Sequence, residues 1–396
     1  MAIQSPKPVQ PLPTLDIRAS AGFVLVATLV AIAIISLGAA YFASQVDTLR
    51  NNARQMQIWA EAEREAFSIR ETLQFAAATG LRDEGGLRFA NTMLATDARR
   101  YAIGDTFTIS IQDERGLLAI NTLDERTLSR ILTSVGIPAD QQPRLVDALL
   151  DYIDPDDLRR LNGAEVREYA AASKPPPAND FLRSRDQLAD IPGWDAILDR
   201  LAIAEQQGDA GLRARFLDLF STSRHFGLNL NSAPAAVLRT LPGLDPARVA
   251  ALVDQRRASA FTSLGQVGRF SSGPIDTEYV GLFGANDWRV VIAKAELPFL
   301  LECQLTITPA EPDRPTRLRE CVRRPVVTWA AGSPDEFQRV LAFDRQAALR
   351  QPSETNPLRS SNLAPRNDLR DTPKIVDAPA PAWLAEVIGA NRSTRR

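Results

Sequence analysis

Five carboxylates fall within fifteen residues of this chain: Asp151, Asp154, Asp156, Asp157 and Glu165. Grouped carboxylate oxygens suit Ca²⁺, which takes roughly six to eight oxygen ligands. The spacing is not that of an EF-hand, because the loop Gly and the closing Glu do not fall in register. The same residues also read as a solvated helix end and turn, in which an Asp caps the following helix. A third reading pairs two of them as the acid and base of a hydrolase, although no supporting catalytic residue is visible. Other chemistry is scarce. The chain of 396 residues has two Cys and one His, His225. That excludes a zinc cluster of the Cys/His type and leaves one imidazole for any Ser- or Cys-based machinery. With 48 acidic and 46 basic side chains the formal charge is −2, which argues against a general nucleic-acid binder.

The elements that must position the acidic group are helical. Leu128, Ile131, Leu132, Val135, Leu145, Ala148, Leu149 and Ile153 mark apolar helix faces that end where the carboxylates begin. Before them, Thr106–Ile111 alternates and is rich in β-branched residues, which predicts a strand. Asp113-Glu114-Arg115-Gly116 reads as a turn and Leu117–Ile120 as a second short strand, together a hairpin. Farther on, Leu228–Pro234 opens a helix to Thr240, Leu241–Pro246 forms a turn, and Ala247–Arg257 is a second helix. This has the form of a helix-hairpin-helix unit, and Arg239, Arg248, Arg256 and Arg257 could touch DNA. Asp245, however, stands where a second hairpin Gly would let backbone N–H groups meet a phosphate.

Near the start, 28 uncharged residues separate Arg18 from Asp47, and Phe23–Phe42 is almost wholly apolar. About 20 such residues span a hydrocarbon core of roughly 30 Å, so a single retained membrane span is expected. Charge on its two sides does not fix the orientation. The apolar pattern continues at three- and four-residue steps from Val46 to Ala76, which predicts one long helix closed by Gly80. After Trp288 strands return. Cys303 and Cys321 are placed symmetrically about a turn at Pro312, so a hairpin would set them opposite each other, within reach of a disulfide; two buried free thiols are the alternative. From Pro325 to Arg396 the pattern is lost, and a largely disordered tail with one short helix is expected.

Several of these segments resemble one family, the minor pseudopilin K proteins of type II secretion, also called general secretion pathway protein K. Gly22-Phe23 at the edge of the apolar run resembles the pilin processing site, with the basic residue set back at Arg18. The fifth residue after the cut, Glu in most pilins, is Ala27. A carboxylate in lipid is costly without a partner, so Ala27 fits a subunit with no predecessor, at the tip of an assembly. Asp151-Tyr152-Ile153-Asp154-Pro155-Asp156, followed by Asn162-Gly163-Ala164-Glu165 and Tyr169, resembles the family's most specific signature. The Asn229–Pro234 piece resembles a helical piece that the family carries as a structural module.

The resemblance implies an α+β, pilin-like fold, in which a long N-terminal transmembrane helix packs on an antiparallel sheet and a large all-helical domain is inserted. The expected divisions are a leader over 1–22, a spine helix over 23–80, a pilin-like domain over 81–124 and 286–324, the insert over 125–285, and the tail over 325–396. It implies cleavage between Gly22 and Phe23 by prepilin peptidase with methylation of the new N-terminus, and calcium held by the acidic group. It also implies partnership with minor pseudopilins I and J, the major pseudopilin and inner-membrane lipid. The expected place is the bacterial inner membrane, single-pass, with the C-terminal region in the periplasm. The expected role is to cap and start the pseudopilus that exports folded proteins across the outer membrane, with no catalysis and no nucleic acid. The competing reading is a membrane-anchored helix-hairpin-helix DNA-binding protein of competence type. By charge, the leader carries +1, the tail +2 and the body between them −5.

Overall fold

The computed structural model describes residues 21–89, 92–103, 106–208, 211–274, 278–294 and 297–325. Most of the leader and the tail beyond Pro325 lie outside the described residues. The chain divides into two compact units, Met1–Glu63 and Arg64–Arg396.

In the first unit every described residue belongs to helix α1, Ala21–Thr79. No Pro interrupts it, and its apolar stretch is exposed throughout, with Phe23 77%, Ile35 70% and Phe42 70% accessible. It is long and apolar enough to cross a membrane, and its apolar window is not the buried core of a soluble domain.

The second unit begins with the end of α1. Ala66, Ile69, Leu73, Ala76 and Ala77 form a buried stripe at helical spacing. The helix ends at Gly80, whose N–H reaches Ala76 O at 2.8 Å. A Cβ there would meet Ala76 O and Leu87 Cδ1 at 2.7 Å, so the close crossing requires glycine. Three short strands follow, β1 Leu81–Asp83, β2 Gly86–Phe89 and β3 Thr92–Leu94, paired antiparallel. Next come β4 Asp97–Ile103 and β5 Phe107–Asp113. The chain then leaves and returns much later as β10 (Asp287–Lys294), β11 (Phe299–Ile307) and β12 (Thr316–Pro325), giving a five-stranded sheet of order β12-β11-β10-β5-β4. One face, with Tyr101, Ile109, Ile111, Trp288, Val290, Ile292 and Leu305, packs on the α1 stripe.

The hairpin expected after β5 does not form. Leu118–Ala119 (β6) pairs in parallel with Phe220–Ser221 (β7), while β5 pairs with β4. The cause is Asp113, fully buried at the end of β5. Its carboxylate accepts from the N–H groups of Arg115 (3.1 Å) and Ala285 (2.8 Å), from Asn229 Nδ2 (2.7 Å) and from Ser232 Oγ (2.8 Å). Those bonds lock a 3-10 turn over Glu114–Gly116 that sends the chain away from the sheet.

Between Asp113 and Asp287 lies the inserted module. It contains α2 Glu125–Ser134, α3 Gln142–Ile153, α4 Val166–Ala171, α5 Trp194–Gln206 and α6 Leu212–Leu217 before β7. After β7 come β8 Leu228–Asn229, α7 Ala235–Leu238, α8 Pro246–Ala258, α9 Leu264–Val267 and β9 Val280–Gly281. The chain then completes the sheet with β10 Asp287–Lys294, β11 Phe299–Ile307 and β12 Thr316–Pro325.

The module is built twice on one plan. β6 pairs in parallel with β7, and β8 with β9. Two residues after β6, Asn121 donates to Leu182 O and Thr222 O, both at 2.9 Å, and accepts from Leu182 N at 2.8 Å. Two residues after β8, Asn231 donates to Phe261 O (2.9 Å) and Leu282 O (3.1 Å) and accepts from Phe261 N at 2.9 Å. The parallel extends further: Gln187 accepts from Arg183 N as Gln266 accepts from Thr262 N. Leu128 and Leu238 are both fully buried at matching positions.

A candidate cation-binding loop

The first copy departs from the second in one place. In the second copy two residues, Ser259 and Ala260, join α8 to Phe261; in the first, residues 154–181 intervene between α3 and Leu182. Four of the five predicted carboxylates, Asp154, Asp156, Asp157 and Glu165, lie on this insertion, and Asp151 lies one turn before it.

Asp151 is fully buried in the last turn of α3. Both of its oxygens accept from Arg160 N at 3.2 Å, and Arg160 Nε stands 3.3 Å away. A Cβ on Gly163 would lie 1.9 Å from Asp151 Oδ2. The Gly of the Asn-Gly-Ala-Glu sequence is therefore required by the carboxylate beneath it. Asn162 donates its N–H and Nδ2 to Asp147 Oδ2, both at 3.0 Å. Asp151 and Asp147 thus pin the returning loop from inside.

Glu165 is placed differently. It is 5% exposed, yet neither carboxylate oxygen has a hydrogen-bond partner. Its backbone N–H donates to Glu168 Oε2 at 3.1 Å, which closes the start of α4. Burial, then repulsion from Asp151, Asp154, Asp157 and Asp156, pushes the Glu165 carboxyl up to about 7. Burial first also raises Asp151 and Asp154 above the ordinary carboxylate range. Asp154 Oδ1 is enclosed and unpartnered, while Arg160 Nη2 lies 3.4 Å from its Oδ2. Asp156 and Asp157 are exposed. Asn179, which sequence reasoning passed over, donates Nδ2 to Asp156 O (3.1 Å) and Asp157 Oδ1 (2.8 Å), and its own Oδ1 is enclosed without a partner. Its backbone is left-handed, with φ 45°, which Asn tolerates better than most residues.

The structure therefore splits the predicted set. Asp151 is a structural staple, Glu165 and Asp154 hold unsatisfied buried oxygens, and Asp156 and Asp157 line the outer side. Among the described residues, no group of three or more His, Cys, Asp or Glu side chains is placed to hold a metal ion. The carboxylates of the loop repel one another, and a positive charge placed among them would relieve that repulsion.

The remaining predicted residues lie elsewhere. Gly22 and Phe23 are in the first turn of α1, followed by Ala27. Cys303 and Cys321 face each other across β11 and β12 and are bonded, S–S 2.01 Å. Two arginines of the hairpin unit, Arg256 and Arg248, are engaged within it. Arg256 is buried and donates Nη1 to Leu230 O and Ala233 O, at 2.9 and 2.5 Å. Asp245 caps α8, accepting from Arg248 N at 2.9 Å, and pairs with Arg248 Nε at 2.9 Å. A carboxylate therefore occupies the helix N-terminus at which a phosphate would bind.

Two family models match the chain, each described as type II secretion system (T2SS), protein K, over residues 109–202 and 228–276. The two matches fall on the two copies of the helical plan. Among solved structures, the chain is similar to one in the GspK-GspI-GspJ complex from the enterotoxigenic Escherichia coli Type 2 Secretion System. That similarity is 16% in sequence, covers 70% of this chain and 99% of the other, and has a TM-score of 0.43. No curated protein matches the chain.

Proposed function

We propose, from the matches of residues 109–202 and 228–276 to type II secretion system protein K models, that this chain is a minor pseudopilin that caps the tip of a periplasmic pseudopilus and starts its assembly for the export of folded proteins. The family matches to both copies of the module carry this reading. Ala27 supports the tip position, since a carboxylate there would lie unpaired in lipid in a subunit that nothing precedes. In this reading α1 holds the chain in the inner membrane, with the remainder in the periplasm, until extraction. Prepilin peptidase removes the leader between Gly22 and Phe23, and the new N-terminus is methylated. Minor pseudopilins I and J join below it, and the major pseudopilin extends the fibre. Co-purification of the full chain with candidate I and J partners tests this role; failure to recover a complex with either would overturn it. Intact mass in cells with and without prepilin peptidase should differ by the 22-residue leader.

Calcium belongs to the same proposal. Asp154, Asp156, Asp157 and Glu165 would hold it, with Asp151 fixing the loop beneath. The ion would supply charge neutralisation, so that the repelled carboxylates become the clasp of the insertion. Free calcium at about 100 times its dissociation constant stabilises the fold by about 2.7 kcal/mol. Thermal melting should therefore rise with calcium in the parent and not in Asp154→Asn; equal melting with calcium and with chelator would remove the ion from the account.

A further inference from the structure

The two copies of the helical plan act as an internal control. What both need is framework; what one has and the other lacks is free to serve another purpose. Between α2 of the first copy and the α7–α8 turn of the second lies a groove of about 1100 Å³. Arg126 and Arg130, one turn apart, line it from α2, and Arg239 lines it from the far wall, with Thr240, Leu241 and Pro242. In the second copy the positions matching Arg126 and Arg130 are Ala236 and Thr240, counted from the paired Asn121 and Asn231. The repeated framework therefore does not call for these arginines. Nor are they spent on it. Arg130 makes one hydrogen bond, Nη2 to Thr127 Oγ1 at 2.9 Å, and its enclosed Nε has no partner.

We propose that this groove binds a carboxylate-bearing, extended segment of a partner protein. Planar guanidinium groups from both walls suit carboxylates, which they grip with paired N–H bonds. The rim decides between anions. Asp124 and Glu125 also line the groove, beside Arg126 in the first turn of α2 and its cap. Asp124 already accepts from Thr127 N at 2.6 Å as the cap of α2. A nucleic acid, charged at every residue, would run its phosphates against this rim. A peptide can turn carboxylates to the arginines and neutral residues to the rim.

The test uses the full chain in detergent and a fluorescein-labelled peptide of alternating Glu and Gly, followed by fluorescence anisotropy. Saturable binding is expected, weakening about tenfold or more at high salt, with little binding of the matching Gln and Gly peptide. Arg126→Glu with Arg130→Glu should weaken binding about tenfold or more, while Arg257→Glu, on the exposed face of α8, should leave it unchanged. If the double variant melts early, Arg126→Glu alone, at an exposed position, must still weaken binding several-fold. Equal binding of the Gln peptide, or binding indifferent to these reversals, overturns the proposal. So does tighter binding of duplex DNA that is lost in the same variants, which would give the groove to nucleic acid.

Discussion

At the scale of single residues, the acidic signature combines two kinds of carboxylate that composition cannot separate. Asp151 is satisfied and internal; Glu165 is buried and unsatisfied. Both were legible as members of a cluster. Their division was not, because it depends on which N–H groups the folded loop returns to Asp151. The Gly163 requirement was likewise invisible, since its backbone is not left-handed and only the 1.9 Å approach demands it. Gly163→Ala should destabilise the protein by about 1–3 kcal/mol, as overpacking does, and abolish any calcium-induced rise in melting. Glu302 offers a second prediction. Burial would raise its pKa, but Arg185, Arg289 and Arg324 outweigh this and hold it below the usual carboxylate range. A carboxyl depressed in the folded state contributes stability above its unfolded pKa, and loses it as pH falls through the folded value. Glu302→Gln should therefore cost about 3 kcal/mol at neutral pH, by leaving Arg185 short of a partner. The gap from the parent should close on acidification below the ordinary Glu range, as read by urea unfolding across pH.

At the scale of elements, the long helix was readable because its signals, 28 uncharged residues and a continuous apolar stripe, are local. Strands β10 to β12 were readable for the same reason. The partner of β5 was not. β4 reads Asp-Ala-Arg-Arg-Tyr-Ala-Ile, without clear alternation, and the parallel β6–β7 pair joins two-residue strands a hundred residues apart. The duplicated plan escaped notice because the inserted loop breaks its period. Asn121 and Asn231 expose it, each tying three backbone groups together. Asn121→Ala and Asn231→Ala should each cost about 2 kcal/mol or more, since both strand buried polar groups. Chemical unfolding of the two variants should give similar losses; a silent Asn121 would show that the copies differ energetically despite their matching bonds.

At the scale of the whole second unit, two groups of contacts stand out among those that join the helical module to the sheet. One is that of Asp113, at the exit from β5. The other is ionic. Arg185 of the module bonds Glu302 of β11 at 2.6 Å and pairs with Asp218, while Arg289 of β10 reaches Glu114 at 3.0 Å and Phe220 O at 2.9 Å. The Cys303–Cys321 bond secures the edge strand beside this network, across a separation of 18 residues. Reduction, or Cys303→Ser with Cys321→Ser, should lower the unfolding free energy by about 3 kcal/mol, read from chemical denaturation with a slope that steepens because the unlinked unfolded chain exposes more surface.

The short joint between α8 and Phe261 has one more implication. The second copy amounts to a naturally trimmed edition of the first, and so supplies a worked blueprint for surgery. Replacing residues 154–181 by the dipeptide Ser-Ala would strip the acidic clasp, but it also removes Tyr169 from the core and the N–H that satisfies buried Asp151, so the trimmed module should fold with reduced stability and regain part of it when Asp151→Asn is added. The protein thus carries within its own chain the comparison needed to separate what its architecture requires from what was added to it.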